Sequence, residues 1–464
     1  MIVESPGSGG VFRFAHALLH ETLYGGMAAM RRARLHARVA DALEGRRGPV
    51  RVVELAHHLW RAAPSVPTDR VLRALFRAAE DSMGGLAYER GAELLGRALE
   101  LLAATPPSEG RDRNELWAQV RLGMVRAATK GQGSPGAAAS FARARELCAG
   151  DRHLAEELPV LYGLFLVSWH QVNLPATAAY AAQLLDVAKS THDPSFLVAG
   201  HQASGLTAFQ HGALETARHH FGQAVVTADS LADPSLADVM HGDPSVAGRS
   251  LVGFVDALSG QPSQASALAA EGLELARRSG HSWSIAVAMS MRTWVAVVLR
   301  QHERAEGYAD EAAAFAAEAG FEDLATSIST MRGWAKAHRG DTAWGLELAE
   351  AGFGRAAFMM PFNLALLAEV EHLAGRAERA LATVDRGLAE VACRGERFYE
   401  AELHRLRGDL LADLLSEQVP ERAAEAETCL GRAVEVARGQ GAHLLEERAL
   451  DSLARLRERL PSAR

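Results

Sequence analysis

The stretch GLTAFQHGALETARHHFGQA, residues 205–224, decides the fold. Its last eight residues place a small, a bulky and a small side chain, Ala217, Phe221 and Ala224, at offsets of 0, +4 and +7. These offsets lie on one face of an α-helix, and small residues on that face let a neighbouring helix approach closely. Gly212, five residues before Ala217, suits the left-handed conformation that ends many helices. The stretch therefore predicts two helices joined by a short turn.

The same small–bulky–small pattern recurs along most of the chain. Its first residue, which we call the anchor, returns at intervals of 35 to 48 residues, mostly 40, with degenerate copies at the third and seventh positions. One helix pair cannot bury its apolar face alone, whereas stacked pairs can. The alternative is an irregular all-helical bundle, which would not need anchors in near-register. The anchors are Gly91, Ala137, Thr177, Ala217, Ala265, Ala305, Gly345, Ala380 and Ala426.

The unit from which the pattern was read resembles a tetratricopeptide repeat (TPR). Gly205, Gly212, Ala217, Phe221 and Ala224 fall at the offsets of that repeat. The other units match less well, and the spacing of about 40 residues exceeds the usual 34. Together, the repeat and the resemblance predict an all-α chain that forms a TPR-like right-handed α-solenoid of about nine helix pairs.

Several longer stretches resemble one class of signalling protein. They are similar to the C-terminal arm of bacterial STAND/AAA-type signalling ATPases, as found in adenylate/guanylate cyclase–ATPase–TPR fusion proteins and related ATP-dependent transcriptional regulators. The resemblance implies a regulatory or sensor arm that binds a partner protein or a small effector. The stretches are RRARLHARVADALE (31–44), ELAHHLW (54–60), GERFYEAELHRLRGDLL (395–411) and AEAETCLGRAVEVARGQGAHLLEERALDSLARL (424–456).

The N-terminal segment differs from the repeats. FRFAHALLHETLY (12–24) begins with the alternation of a half-buried strand and continues with helical spacing. A lone strand leaves its backbone groups unpaired, and we expect residues 12–14 to lack a pairing partner within this chain. With the resemblance, this divides the chain into residues 1–62, a remnant of a winged-helix segment with hinge helices, and residues 63–464, the TPR-like superhelix.

Composition and charge argue against several classes of protein. The net charge of −8 argues against a general nucleic-acid binder, which is normally basic. The three cysteines lie far apart and form no CxxC pair, so the sequence indicates neither a disulfide framework nor a zinc ribbon. The longest apolar run, LPVLYGLFLVSW (158–169), has 12 residues, well short of the roughly 20 that span a bilayer. We expect a cytoplasmic protein with no membrane partner.

No catalytic, cofactor-binding or metal-binding motif is evident. A P-loop needs a lysine directly after a glycine, and none of Lys130, Lys189 and Lys336 follows one. His16 and His20 share a helical face in HALLHE (16–21), but the motif is neither HExxH nor HxxEH and no third ligand is evident. We therefore expect no catalytic residue, no metal and no cofactor in this chain, and we interpret the two histidines as structural.

The best candidate for a binding site is the inner groove of the solenoid. In TPR proteins the first helix of each pair lines the concave surface, and aromatic side chains with a few hydrogen-bonding groups suit peptide or small-ligand recognition. The alternative is that these aromatics fill the core between helices. Counting back from the anchors gives the groove candidates Tyr162, Trp169, Gln202, Phe209, Ser250, Trp294 and Trp334.

Two functional hypotheses follow. The first is a non-enzymatic regulatory or sensor TPR arm of a bacterial signal-transduction ATPase, whose partners are a protein, peptide or small effector in the groove and an upstream ATPase or winged-helix domain. The second is an incomplete gene product of an ATP-dependent transcriptional activator or of a class III nucleotide cyclase with ATPase and TPR domains. A stand-alone hydrolase has almost no support in the sequence.

The missing motifs lead to the first testable prediction. The purified chain should hydrolyse neither ATP nor GTP and should form no cyclic nucleotide, because the sequence supplies no phosphate-binding loop. Phosphate release and cyclic-nucleotide assays on successive purification fractions measure this directly. Turnover that rises in step with the purity of the chain would contradict the prediction.

Overall fold

The structure is a computed structural model. It describes residues 2–4, 12–14, 22–45, 51–148, 154–353, 359–414 and 420–459. The chain forms two compact units, Met1–Val125 and Arg126–Arg464. The elements that begin in the first unit are β1 (Ile2–Glu4), β2 (Phe12–Phe14), α1 (Ala29–Glu44), α2 (Val52–Ala62), the 3₁₀ helix Ala63–Ser65, α3 (Thr68–Gly84), α4 (Tyr88–Ala103) and α5 (Glu109–Lys130).

The second unit continues with helices in the described residues. They are α6 (Pro135–Cys148), α7 (Leu154–His170), α8 (Leu174–Thr191), α9 (Pro194–Gln210), α10 (Leu214–Leu231), α11 (Leu236–Val239), α12 (Pro244–Leu258), α13 (Pro262–Ser279), α14 (Ser282–Val298), α15 (His302–Glu318), α16 (Glu322–His338), α17 (Thr342–Phe353), α18 (Met360–Leu373), α19 (Ala377–Arg394), α20 (Glu400–Asp413), α21 (Pro420–Gln440) and α22 (His443–Arg459). Among the helices that the structure describes, none has the length and apolar character needed to cross a membrane.

The short strand near the N-terminus has a partner within this chain, so the expectation that it lacks one was wrong. β1 and β2 pair antiparallel, with Ile2 opposite Phe14 and Glu4 opposite Phe12. The partner strand was missed because it is only three residues long, although Ile2 and Val3 are β-branched and favour a strand. HALLHE (16–21) lies outside the described residues.

The predicted helical repeat is confirmed. In the described part of the chain, nine helix–turn–helix pairs follow α2, from α3 and α4 to α20 and α21, and α22 follows them. Every anchor lies on the second helix of its pair, and all nine anchors are buried. The fold is a TPR-like helical solenoid. The division predicted at residue 62 coincides with the end of α2 and stays a prediction, because the two compact units divide within α5.

Small residues bring the helices of a pair into direct contact. A Cβ atom added at Gly205 on α9 would lie 2.5 Å from the ring of Phe221 on α10. At Gly333 on α16 it would lie 2.4 Å from the carbonyl oxygen of Gly345 and 2.6 Å from the amide nitrogen of Ala349, both on α17. Real Cβ contacts are longer than this, so these two backbones touch only because both crossing residues are glycine.

The turns between paired helices use the left-handed conformation that the sequence predicted. Gly212, Gly260 and Gly375, each five residues before an anchor, have φ values of 76°, 79° and 74°. The same position in three other pairs holds Leu86, Val172 and Arg300, with φ values of 62°, 55° and 57°. A non-glycine residue in this region costs roughly 1–2 kcal/mol, so contacts elsewhere hold these three turns in place.

Helices distant in sequence meet within the unit Arg126–Arg464. The amide of Arg397 donates to the carbonyl of Gln210 over 2.7 Å, and Gln440 Nε2 donates to the carbonyl of Arg397 over 2.7 Å. The rings of Phe209 and Phe398 lie 4.4 Å apart. The turn that follows α9 is therefore packed against the start of α20 and the end of α21.

A buried group of charges joins further distant helices. Arg300, after α14, donates to both carboxylate oxygens of Glu369 on α18 and to Oε1 of Glu402 on α20, the last over 2.8 Å. Arg405 donates to both oxygens of Glu402 over 3.0 and 2.7 Å. Burial by itself raises the pKa of each glutamate, but the guanidinium charges outweigh it. The pKa of Glu402 is about 2, and that of Glu369 is well below its ordinary value.

Paired substitutions test the role of the left-handed turns. Gly375→Ala should lower the free energy of unfolding by about 1 kcal/mol, because a Cβ at φ 74° is strained although the surrounding space is open. Gly307→Ala, in the middle of α15 with equally open space, should raise it by about 0.5–1 kcal/mol. Urea denaturation followed by circular dichroism measures both. If the two substitutions shift the midpoint in the same direction, the turn at Gly375 does not require glycine.

Candidate functional site

A cavity of about 460 Å³ lies inside the unit Arg126–Arg464. Its wall is built mainly from the first helices of successive pairs, from α7 through α9, α12 and α14 to the ends of α16 and α18. The loop 131–134 and residues 240–243, between α11 and α12, complete it. The first helices line the inner face because the second helices use their small-residue face for close packing.

Most of the lining comes from positions that share one face of a first helix. Residues seven apart lie on the same side of an α-helix. Four first helices each contribute two lining residues at this spacing: Tyr162 and Trp169 on α7, Gln202 and Phe209 on α9, Ala247 and Phe254 on α12, and Val287 and Trp294 on α14. The wall is therefore largely aromatic and apolar.

The structure brings five of the seven groove candidates together at this cavity: Tyr162, Trp169, Gln202, Phe209 and Trp294. Two candidates lie elsewhere. Ser250 is fully buried between α12 and α13, where a Cβ added at Gly272 would lie 3.0 Å from its Oγ. Trp334 is also fully buried, and its Nε1 donates to Glu369 over 3.0 Å. Both side chains belong to the core.

Ser250 lies in the core rather than in the cavity wall for a geometric reason. On α7 and α9 the lining residues lie 8 and 15 positions before the anchor, whereas on α12 and α14 they lie 11 and 18 positions before it. The lining positions therefore move by three residues, almost one helical turn, relative to the anchor. The move comes after the longest interval between anchors, the 48 residues from Ala217 to Ala265. That interval holds the extra helix α11 and residues 240–243, which line the cavity themselves.

Sequence reasoning missed Phe254, Trp283 and His241, which also line the cavity. The seven-residue spacing of Ala247 and Phe254 repeats that of Tyr162 and Trp169, and it could have identified the face of α12. His241 could not have been found in this way, because it lies in the turn before α12 rather than on a helix.

Some polar groups in the cavity wall are satisfied by the backbone. Trp169 Nε1 donates to the carbonyl of Leu206 over 3.3 Å, and Gln210 Nε2 donates to the carbonyl of Trp169 over 3.0 Å. Asp243 accepts from the amides of Ser245 and Val246, which caps α12. These contacts fix the relative positions of α7 and α9 and hold the start of α12.

Two other polar groups in the wall are not satisfied in this way. The side chain of Gln202 is 5% exposed, and it makes no hydrogen bond with any residue that the structure describes. Nε2 of His241, a residue that is 9% exposed, also has no hydrogen-bond partner among the described residues. A buried polar atom left without a partner costs roughly 1–3 kcal/mol, so each of these two positions is unfavourable without a further hydrogen-bond partner.

The cavity holds its histidines in the neutral form. Burial lowers the pKa of His241 to about 3, and the nearby His170 contributes in the same direction. Burial also lowers the pKa of His170 to about 4, against the hydrogen bond between its Nδ1 and the carbonyl of Leu166. The remaining charges are Asp243, engaged in the cap, and Lys130, whose Nζ lies 4.0 Å from a carboxylate oxygen of Glu322. At neutral pH the charged groups of the wall are therefore Asp243 and Lys130, whose side chain is 59% exposed.

Comparisons with known proteins do not assign the chain to a family. No family model matches the chain. An uncharacterized protein of Rhizobium meliloti (strain 1021) is 24% identical over 462 residues, which cover 96% of this chain and 43% of that protein. The chain thus spans less than half the length of this relative.

Three solved structures are similar in the arrangement of their helices. The APC/C hetero-tetramer Cut9–Hcn1 shares 14% identity, over 95% of this chain and 85% of that chain, with a TM-score of 0.48. A Rap protein complexed with competence and sporulation factor shares 13% identity, over 83% of this chain and 99% of that chain, with a TM-score of 0.43. A STAND protein with a tetratricopeptide repeat sensor from Pyrococcus horikoshii shares 11% identity, over 86% of this chain and 58% of that chain, with a TM-score of 0.41.

The buried histidine leads to a prediction about pH. Because the pKa of His241 is about 3 in the folded chain and about 6.5 when unfolded, only the unfolded state takes up the proton as the pH falls below 6.5. Between pH 7 and pH 5 this residue should therefore lower the free energy of unfolding by about 2 kcal/mol. His241→Asn should remove that share of the loss, since asparagine tolerates the left-handed backbone of this position, where φ is 57°.

Urea denaturation at pH 7 and pH 5 measures the difference for the wild-type chain and the variant. His211→Asn, at an exposed position in the turn after α9, is the matched control for the exchange of a histidine for an asparagine. An equal loss of stability in the wild-type chain and in His241→Asn would show that His241 is not held neutral in the folded chain.

Proposed function

We propose that this chain is a non-enzymatic regulatory or sensor arm of a bacterial signal-transduction ATPase, and that it binds a partner protein or a small effector in the cavity of the unit Arg126–Arg464. The observation that carries the proposal is the cavity itself, a space of about 460 Å³ walled by aromatic side chains from successive first helices. Binding pockets for small molecules have volumes of roughly 300–1,000 Å³ and are mostly apolar with a few polar groups.

The chemistry of the wall supports binding rather than catalysis. A general base needs a pKa near the working pH, whereas the pKa of His170 is about 4 and that of His241 about 3. The carboxylate of Asp243 is engaged by two backbone amides. The hydroxyl of Ser284, a residue of the wall, lies 2.8 Å from Nδ1 of His281, but that nitrogen also accepts from the amide of Ser284, and the hydroxyl accepts from the amide of Asp243. This pair therefore holds the starts of α12 and α14, and the cavity offers mainly shape and hydrogen bonds.

A second candidate concerns the longer protein to which such an arm would belong. More than half of the Rhizobium meliloti relative lies outside the matched part, and the sequence resembles arms that follow an ATPase. The candidate is an ATP-dependent transcriptional activator or a class III nucleotide cyclase with ATPase and TPR domains. An open reading frame in phase upstream of the codon for Met1, encoding a P-loop, would support it, and a stop codon with an intergenic gap would exclude it.

Blocking the cavity tests the proposed binding site. The neutral fluorophore N-phenyl-1-naphthylamine should bind with a rise in fluorescence, and Ala247→Trp should weaken its binding at least tenfold, because the indole would occupy the space between α12 and the opposite wall. Ala179→Trp, at an exposed position on α8, should bind the fluorophore as the wild-type chain does. Fluorescence titration with circular dichroism as a folding control measures both. Equal affinity in all three proteins would exclude the cavity as the site.

A further inference from the structure

We propose that the ligand of this cavity is electrically neutral and presents an amide hydrogen-bond donor and acceptor side by side, flanked by an apolar group. This inference rests on the proposed function and adds the chemical class of the ligand. It combines three properties of the wall: an unpaired side-chain amide, an aromatic surface around it and the state of its charged groups.

The unpaired amide is that of Gln202. Its Oε1 is buried without a partner, and its Nε2 makes no hydrogen bond with the described residues. A glutamine amide carries two donors on nitrogen and an acceptor on oxygen at one end of the side chain. Oε1 is hidden from solvent in this conformation, but rotation of the terminal amide about its last torsion is soft, so a ligand that places an N–H and a C=O next to each other can satisfy both ends at once. The N–H and C=O of one residue in an extended peptide have this arrangement, and so does the edge of a carboxamide.

The aromatic surface indicates what should flank that edge. Phe209, seven residues after Gln202, lies 5.6 Å from the ring of Phe254, which lies 5.6 Å from the ring of Trp294. Together these rings continue the wall from α9 through α12 to α14. An aliphatic or aromatic group seated on them would leave water, which contributes roughly 25 cal/mol for each Å² of apolar surface buried.

The charges of the wall disfavour an ionic ligand. A carboxylate in the cavity would need a cation, but both histidines that line it stay neutral at physiological pH and Lys130 lies close to Glu322. An ammonium group would need an anion, and Asp243 is engaged by the amides that begin α12. A charge transferred from water without a partner is costly.

Three matched ligands test the inference. N-octanoyl-L-leucinamide has the neutral amide edge and an apolar chain. Its ester analogue, methyl 2-octanoyloxy-4-methylpentanoate, replaces both nitrogen atoms by oxygen and so has no N–H donor, and N-octanoyl-L-leucine replaces the terminal carboxamide by a carboxylate. A titration that displaces N-phenyl-1-naphthylamine from the wild-type chain should give at least tenfold tighter binding for the amide than for either analogue. The capped peptide acetyl-Leu-Phe-Leu-amide shows whether a peptide presents this edge better than the small amide does.

Variants of Gln202 separate the amide contact from simple apolar binding. Gln202→Met keeps the length of the side chain but removes both hydrogen-bonding groups, and it should bind the amide and the ester with equal affinity. Gln223→Leu, at an exposed position on α10, is the control and should retain the wild-type preference. If Gln202→Met does not fold, the comparison of ligands on the wild-type chain still decides the question.

The outcomes distinguish this inference from the proposed function. If the fluorophore binds in the cavity but the amide has no advantage over its analogues, the ligand class is wrong and the binding site stands. If the carboxylate binds best, the cavity accepts anions and the inference fails. If neither the fluorophore nor any of the ligands binds the wild-type chain, the cavity is not a binding site and the proposed function fails with it.

Discussion

The close approach of paired helices is the constraint on which the rest of this structure depends. At Gly333 and Gly345 a Cβ on either residue would lie within 2.7 Å of the opposite backbone, so no larger side chain fits at the crossing of α16 and α17. On α9 the lining residues Gln202 and Phe209 lie three residues before and four residues after Gly205, so they share the side of the helix on which Phe221 packs against that glycine. The small residues at the crossings thus bring the helices close together, and the large side chains beside the crossings form the inner wall.

The turns show how contacts between distant helices override local preference. Gly212 and Gly375 adopt the left-handed conformation at little cost, whereas Arg300 adopts it at a cost of roughly 1–2 kcal/mol. The strained turn places its guanidinium beside Glu369 and Glu402, which lie 69 and 102 residues further along the chain. Removing one partner of a buried ion pair costs roughly 3–5 kcal/mol, more than the strain. A glycine here would relax the backbone and leave two buried carboxylates without this partner.

The helix pairs could be predicted from the sequence because their determinants are local. Offsets of 4 and 7 and a glycine five residues earlier specify a face and a turn without information from elsewhere in the chain. The inner face was predicted less well, since the extra helix α11 shifts the lining of α12 by almost one turn and places Ser250 in the core. Trp334 was misassigned for a different reason, because its partner Glu369 lies on another helix and no local pattern connects them. The pairing of β1 with β2 was missed because three residues are too few to show a period.

The unpaired amide of Gln202 gains its meaning from the way the same unit treats its other buried polar groups. Glu369 and Glu402, which are far more costly to bury than an amide, are met by arginine side chains drawn from distant helices. The side chain of Gln210, about two turns beyond Gln202 on α9, donates to the backbone of α7. Among the described residues, Ser250 Oγ and Thr330 Oγ1 are also buried without a partner, but both residues are fully buried between packed helices. Gln202 differs from them because it lines the cavity, so a partner for its amide can come from outside the chain.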